Sequence, residues 1–493
     1  MSTCPRGSLR PSPSRPPAMP DRILLPLIVA CALFMENLDS TILATALPTI
    51  AREFGTSPVH LKLALTSYLL SLAIFIPASG WMADRFGARH VFRMAILVFT
   101  VGSILCGLSS SLPGLVMSRI VQGMGGAMMV PVGRLVILRS IEKRDFVGAM
   151  AWLTVPALIG PVTGPPLGGF ITTYLHWRWV FFVNVPIGVL GLVLATLYVP
   201  AIRGDAGRRF DFVGYFLAGL GIAGFVTGST SLGLGIFPGP VVAALLAAGT
   251  GSLLLYYRHS RRAPDPILDL TLFRMPSFRL ALVGASLFRV GVGGTPFLLP
   301  LMMQIGFGMT AFHSGLITFA SALGAMSMKF FAPPLLKRFG FRRILIANAF
   351  VAALFIAIPA VFTPATPVAA MIALLLIGGF FRSLQFTSAN ALVFADVPPG
   401  RMSHATSLSS VAQQVALSVG ISIGAMALEF ASRLGGGEIN VDSFRPAFVA
   451  IGAVAALSAF VFMRLGGDVG MELSGHAGGR RRSGGADGAD APG

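Results

Sequence analysis

The stretch Glu36-Asn37-Leu38-Asp39-Ser40-Thr41 lies inside an apolar run that extends from residue 23 to residue 47. This run is long enough to cross the hydrocarbon core of a bilayer as one helix, which takes about 20 residues. Carboxylates are costly in lipid, so Glu36 and Asp39 should face a protein interior or a water-filled cavity. An acid in such a place is a natural candidate for a group that takes up and releases a proton.

The composition agrees with a membrane protein. Of 493 residues, 54% are hydrophobic and only 11% are charged, whereas a soluble chain carries about a quarter charged residues. We therefore predict an all-α polytopic membrane protein. The net charge of +18 does not indicate nucleic-acid binding, because the bases are spread over short loops and no soluble face carries them.

Signals of catalysis or metal binding are missing from the sequence. The three cysteines and seven histidines show no metal-ligand or catalytic spacing. No Gly-x-x-x-x-Gly-Lys-Ser/Thr phosphate loop occurs, which argues against ATP as the energy source. The sequence therefore predicts no enzyme activity, no metal and no cofactor.

Fourteen apolar runs follow one another along the chain, each long enough for a membrane-spanning helix. They cover residues 23–47, 61–82, 91–111, 113–138, 147–171, 179–199, 212–232, 238–257, 278–303, 312–335, 344–363, 366–393, 404–431 and 445–464. The predicted inner loops and tails hold 27 of the 37 Lys and Arg residues, and the predicted outer loops hold five. This asymmetry predicts that both termini are cytoplasmic.

A short internal repeat divides the chain. The loop Asp84-Arg85-Phe86-Gly87-Ala88-Arg89 follows the second run, and Lys337-Arg338-Phe339-Gly340-Phe341-Arg342 follows the tenth. This spacing predicts two six-helix halves with two extra helices between them, a plan used by transporters with parallel repeats. The predicted units are a disordered tail (1–21), a first half (22–200), the extra helices (201–260), a second half (261–465) and a second disordered tail (466–493).

The loop after the second run is a candidate gate. Gly80 allows close approach of another helix, and Gly87 suits a tight turn. Asp84 can accept a hydrogen bond from a neighbouring helix N-terminus or from an arginine in one state and release it in another. Arg85 and Arg89 are the other two residues of this candidate gate. Without its second copy, this stretch would be an ordinary inner loop rich in positive charge.

Arg119 and Asp39 are predicted to lie at similar depth in the membrane, judged from their distances to the outer ends of their helices. An ion pair between them that forms and breaks with the opening of a cavity would couple proton movement to transport. A static salt bridge that only orients two helices is the alternative. Glu36 is a second candidate for the proton site.

The fifth run contains a glycine- and proline-rich segment that we predict to act as a hinge. Its prolines remove backbone donors and its glycines permit close helix contact, although a kinked packing helix would need the same residues. The segment consists of Gly160, Pro161, Gly164, Pro165, Gly168 and Gly169.

Several polar residues within the runs are candidates for a substrate cavity. They are Glu36, Gln122, Arg289, Lys329 and Arg382. The spans contain five bases against two clear acids, which favours a cavity that is not purely cation-selective. Arg289 and Arg382 would form a wall that attracts anions.

Together these motifs resemble the major facilitator superfamily, and within it the fourteen-helix branch of drug:proton antiporters. The resemblance rests on Leu38 to Pro48, Gly80 to Arg89, Arg119 to Gly126, Gly160 to Gly169 and Trp177 to Gly188, and it covers almost all of the chain outside its tails. Three residues depart from the branch: His90, Lys337 and Glu36. Lys337 replaces the acid of the second loop and makes a symmetric gate doubtful.

The resemblance implies a multi-pass transporter of the bacterial inner membrane that exports drugs or other amphipathic small molecules in exchange for protons. Asp39 and Arg119 would serve proton coupling, 84–89 the gate, and 160–169 the hinge. Its partners would be a small-molecule substrate, protons and the lipid bilayer, with no nucleic acid; a periplasmic adaptor is left open. Two alternatives remain: a carrier for a specific, even anionic, metabolite, and a non-transporting membrane sensor.

Overall fold

The computed structural model describes residues 24–140, 146–201, 210–231, 237–398 and 401–466. The first predicted tail, almost all of the second, and part of the loop before the extra helices lie outside these ranges. The described chain is helical. Its helices are α1 (Leu24–Ile42), α2 (Leu47–Glu53), α3 (Lys62–Phe86), α4 (Ala88–Leu108), α5 (Leu112–Ser140), α6 (Phe146–Tyr174), α7 (Trp179–Phe182), α8 (Asn184–Tyr198), α9 (Phe212–Ser231), α10 (Gly239–Ser260), α11 (Pro276–Gly293), α12 (Thr295–Leu301), α13 (Ala311–Ala357), α14 (Val368–Phe394), α15 (Met402–Leu434) and α16 (Val441–Met463).

Each predicted apolar run is helical in the structure, although the run 278–303 is divided between α11 and α12 and two runs share α13. Within the described ranges, 13 helices are long and apolar enough to cross a membrane, close to the fourteen predicted. The fifth run corresponds to α6, which has 29 residues. Two spans are joined in α13, where Gly340 has non-helical backbone angles and separates them.

The two repeated loops adopt the same turn. Gly87 ends α3 with φ 88°, and Gly340 interrupts α13 with φ 73°. Glycine adopts this region at little cost because it lacks a Cβ. Two residues later, an arginine reaches the end of the last helix of its own half: Arg89 donates to the Thr196 carbonyl and Arg342 to the Met463 carbonyl. The repeat is therefore structural as well as sequential.

The halves, α1–α8 and α11–α16, contact each other through α6 with α13 and α3 with α15. One end of the bundle, which we call the joined end, carries α2 and the connection between α12 and α13. There Gln304 of the second half donates to the Thr45 carbonyl of the first. Phe312 donates its backbone N–H to Thr173 Oγ1, and its ring packs edge-on against Phe170 and Tyr174.

A cluster of buried apolar side chains lies next to the joined end and contains residues from both halves. It includes Leu38, Ile42 and Leu47 from the first half, with Phe297 and Phe448 from the second. At the opposite end, by contrast, the described hydrogen bonds of the two glycine turns stay within one half. The structure thus shows a state in which the halves meet at one end.

The extra helices lie beside the bundle. α10 contacts α9, and α9 contacts both α3 and α15. The segment after α10 is tied to α15, because Arg401 Nη2 lies 2.5 Å from Asp269 Oδ2. Burial opposes ionisation of this carboxyl, but hydrogen bonds from Thr271 and Arg401 lower the pKa of Asp269 on balance. The tie should therefore persist at neutral pH.

Candidate functional site

Asp39 and Arg119 meet as predicted. Arg119 Nη1 lies 2.5 Å from Asp39 Oδ2, and both side chains are almost completely buried, with 0% and 1% of their surface exposed. The pair joins α5 to α1. A buried pair of this kind is costly to break by removing one partner, because the other charge is left uncompensated.

Two amides hold the other carboxylate oxygen. Gln122 Nε2 donates to Asp39 Oδ1 over 2.8 Å and Asn184 Nδ2 over 3.0 Å. Both amides also donate to Ser103 Oγ, at 2.7 Å and 3.4 Å. An ionised carboxylate can accept all three donors that face it, whereas a protonated one would bring a hydrogen to a site already filled with donors. The geometry is that of an ionised Asp39.

Arg119 is anchored independently of Asp39. Its Nε donates to the Ala64 carbonyl over 3.1 Å, and its Nη1 also donates to Gln122 Oε1 over 2.6 Å. The guanidinium carbon lies 4.2 Å from the centroid of the Tyr68 ring, within the range of a cation–π contact. Nη2 has no partner among the described residues. This nitrogen therefore has N–H groups free to donate even while Asp39 is paired with Nη1.

Glycines bring this network together. A Cβ on Gly123 would lie 2.6 Å from Ser71 Cβ, and one on Gly125 would lie 2.4 Å from the Phe99 backbone nitrogen. These spacings are below any normal contact, so α5 packs directly on α3 and α4. Close approach of α5 carries Arg119 and Gln122 to Asp39 and Ser103.

The glycine face of α6 packs on α1, the helix that bears Asp39. A Cβ on Gly160 would lie 2.9 Å from the Phe34 carbonyl, and one on Gly164 would lie 2.0 Å from Thr41 Oγ1. Gly168 approaches the Ile42 carbonyl, and Gly169 approaches the Ala311 carbonyl of the second half. The segment therefore touches both α1, which bears Asp39, and the opposite half, as a hinge would require; that role stays a prediction.

Asp84 pairs with an arginine, as the gate hypothesis supposes. Arg139 Nη2 lies 2.7 Å from Asp84 Oδ1. Gly80 was expected to allow close helix approach, but in this state an added Cβ would meet nothing within 4 Å. The surface at Gly80 thus faces open space in this structure.

The remaining predicted residues do not form one cluster. Glu36 is partly buried one turn before Asp39 and makes no hydrogen bond to a described residue. Gln122, predicted as part of the cavity, is completely buried in the Asp39 network. Its position is explained by the donor it supplies to the carboxylate.

The bases of the second half gather along α14. Arg289 is 1% exposed; its Nη2 donates to Asn390 Oδ1, but Nε and Nη1 have no partner among the described residues. Lys329 Nζ donates to Thr387 Oγ1 over 3.0 Å. Arg382 lies on α14, the helix that also bears Asn390 and Thr387, and it forms no ion pair with a described acid. Donors without acceptors in a buried place favour an anionic group.

Sequence reasoning missed two members of the site, Ser103 and Asn184. Asn184 lies in the 177–188 stretch that carried part of the family resemblance, but nothing in the stretch assigned it a role. Ser103 gives no signal, since a serine in an apolar helix is common. Only the packing of α4 and α8 around α1 reveals that both side chains turn toward Asp39.

Comparison with known proteins identifies relatives across nearly the whole chain. The sequence model of the Major Facilitator Superfamily matches residues 29–421 and 281–481. The chain is 37% identical over 455 residues to the protein named "Putative multidrug resistance protein MdtD" of Salmonella paratyphi A, covering 90% of this chain and 94% of that protein.

Solved structures share the fold at low sequence identity. The nucleoside transporter NupG aligns with a TM-score of 0.63 and 14% identity, over 90% of this chain and 99% of its own. A D-xylose-proton symporter aligns with a TM-score of 0.64 and 14% identity, over 90% of this chain and 97% of its own.

Proposed function

Because this chain belongs to the major facilitator superfamily, we propose that it is a multidrug efflux transporter that exports amphipathic small molecules in exchange for protons. The whole-chain similarity to multidrug resistance proteins of Salmonella supports export of drugs. The observation that carries the proton step is the buried Asp39–Arg119 pair with its amide partners.

In this mechanism the joined end faces outward and the structure represents a state open to the cytoplasm. Rocking of the halves would open the joined end and admit a proton to Asp39. Protonation would remove the charge of Asp39 and so weaken its pairing with Arg119, which stays anchored by the Ala64 carbonyl and Gln122 Oε1. Binding of the next substrate would favour release of the proton inward, which closes the cycle.

The test is proton movement in vesicles that contain the purified protein. We expect a cationic or neutral amphiphile to drive proton release from acid-loaded vesicles, and Asp39→Asn to abolish it. The variant keeps the size of the side chain and an acceptor oxygen, so insertion and helix content should be retained. Coupled release that survives in Asp39→Asn would overturn the assignment of Asp39.

A second candidate is a carrier for an anionic metabolite, favoured by Arg289 and its two unpartnered nitrogens. The same vesicle experiment with a panel of cationic, neutral and anionic compounds separates the two. Anionic substrates should lose transport in Arg289→Gln, whereas cationic ones should not. Activity restricted to cations, unchanged in Arg289→Gln, would exclude this candidate.

A further inference from the structure

The extra helices and the segment that follows them are fixed to the second half. We call residues 261–275, which connect α10 to α11, the strap. Tyr256 of α10 donates its hydroxyl to the Leu268 carbonyl over 2.6 Å and accepts the Leu268 backbone N–H over 2.8 Å. Arg401, which precedes α15, donates its Nε to Asp269 Oδ2 over 3.2 Å. Hydrogen bonds therefore hold the strap to α10 on one side and to α15 on the other.

A cluster of buried apolar side chains strengthens this attachment. It contains Ala218 of α9, Tyr256 of α10 and Leu272 of the strap, together with residues of α11, α13, α14 and α15. Among the described residues, the first half contributes only Ala73 of α3 to its buried members. Because closely packed side chains resist sliding, α9, α10 and the strap should move with the second half as one body.

The contact of α9 with the first half is of another kind, and it includes rings at the end opposite the joined end. Trp81, near the end of α3, has its ring centroid 4.6 Å from that of Phe210 and 6.1 Å from that of Phe212. One turn further into the membrane, the Tyr215 ring lies 6.5 Å from that of Phe75 on α3. These side chains are exposed or half-buried. They form favourable aromatic contacts that can separate without opening a core.

Asp211 connects the two attachments, because it lies between Phe210 and Phe212 in the chain. Its Oδ1 lies 2.7 Å from Nε2 of His259 on α10, and its Oδ2 accepts the backbone N–H of Ile267 in the strap over 3.4 Å. The two phenylalanines that meet Trp81 are thus positioned by α10 and the strap, and through them by the second half.

We propose that α9, α10 and the strap move with the second half, and that Trp81, Phe210 and Phe212 form an aromatic latch that holds α3 of the first half in the present state. When the halves rock, α3 has to slide past α9, and this movement breaks the latch. The alternative is that Trp81 only lies at the membrane interface, where aromatic side chains are common. The inference rests on the proposed function only in supposing that the halves rock.

Spin-label distances in the full chain, with its three native cysteines replaced, test the latch. Labels at Arg262→Cys and Arg343→Cys report the distance from the strap to the second half. Labels at Arg262→Cys and His90→Cys report the distance from the strap to the first half. All three positions are exposed. We expect one narrow distribution for the first pair of labels and two populations for the second pair.

Trp81→Ala should raise the ratio of the second population to the first about tenfold for the pair that reports on the first half, which corresponds to about 1.4 kcal/mol. Trp81→Phe keeps a ring and should stay close to the parent ratio. Trp179→Ala is the matched control and should not change the ratio, since Trp179 is exposed and its ring meets Phe182 of its own half at 5.8 Å.

The attachment to the second half is tested separately. Neither tryptophan variant should alter the distance from the strap to the second half. Arg401→Gln should broaden that distance distribution, because the strap then loses its ion pair with α15, in which Arg401 Nη2 lies 2.5 Å from Asp269 Oδ2.

Two results would overturn the proposal. Equal ratios in Trp81→Ala and Trp179→Ala would show that Trp81 is only an interfacial side chain. A distance from the strap to the second half that divides into two populations in the parent protein would show that the extra helices do not move with that half.

These distances do not depend on transport. Loss of proton release in a protein whose latch behaves as described would refute the proposed antiport alone. Normal proton release with equal ratios in Trp81→Ala and its control would refute the latch alone.

Discussion

At the scale of single residues, the proposed proton step depends on how the Asp39 carboxylate is surrounded. Asp39 has three donors, from Arg119, Gln122 and Asn184, and no water-exposed surface. A hydrogen bond to a charged group contributes about 1.5–3 kcal/mol, more than one between neutral groups. The amides therefore contribute to the stability of the network as well as to its geometry.

Asn184→Ala should destabilise the protein by about 1.5–3 kcal/mol, because Asp39 Oδ1 loses a donor in a place that water does not reach. The measurement is the thermal unfolding temperature in detergent. Asn37→Ala is the control, since within the described part of the chain the Asn37 amide donates only to the Leu33 carbonyl of its own helix. Equal unfolding temperatures for the two variants would show that Asn184 does not support the network.

At the scale of elements, glycine faces decide which helices touch. The Gly160–Gly169 face places α6 against α1 at separations that no side chain would permit. Close contact between small residues is a major source of helix association in lipid, where the hydrophobic effect does not drive it. The same segment approaches the second half at Gly169, so α6 contacts both α1, which bears Asp39, and the opposite half.

Gly168→Ala should weaken this contact, because the new Cβ would lie 2.4 Å from the Ile42 carbonyl and 2.5 Å from Thr45 Oγ1. Overpacking of this kind costs about 1–3 kcal/mol and forces α6 away from α1. We expect a lower unfolding temperature and a reduced transport rate. Gly251→Ala on α10 is the control, since nothing lies within 4 Å of its added Cβ; a matching loss there would refute the explanation.

At the scale of the whole molecule, the two ends of the bundle differ. The joined end is held by hydrogen bonds and a shared apolar cluster, whereas the glycine turns at the other end bond within their own halves. Gly80 faces open space in this state. If the halves rock about a central cavity, the surface around Gly80 closes when the joined end opens.

Gly80→Leu should therefore leave this state intact while it prevents the alternative one. We expect normal abundance and an unchanged or higher unfolding temperature. Transport should fall at least about tenfold, because raising the free energy of the alternative state by about 1.4 kcal/mol already lowers its population by that factor. Gly251→Leu should transport normally. A Gly80→Leu variant with full transport would show that this surface never closes tightly.

The sequence determined where the membrane-spanning helices lie and nearly how many there are. Hydropathy is a local property, so the apolar runs could be predicted from the order of residues alone. The two acids within the first run, Glu36 and Asp39, and the repeated loop are also visible in the sequence. The pairing of Asp39 with Arg119 could also be predicted, because two opposite charges at similar depth in lipid have few other partners.

Only the tertiary structure decided which weakly polar groups complete the site and where the halves touch. Ser103 and Asn184 have no distinctive sequence signal; their roles follow from the rotation of α4 and α8 about their axes, which depends on packing. Lys62, at the start of α3, is one of the five bases counted in the predicted outer loops, yet its side chain is completely buried. Burial by a distant segment is not a local property, and therefore the sequence could not show it.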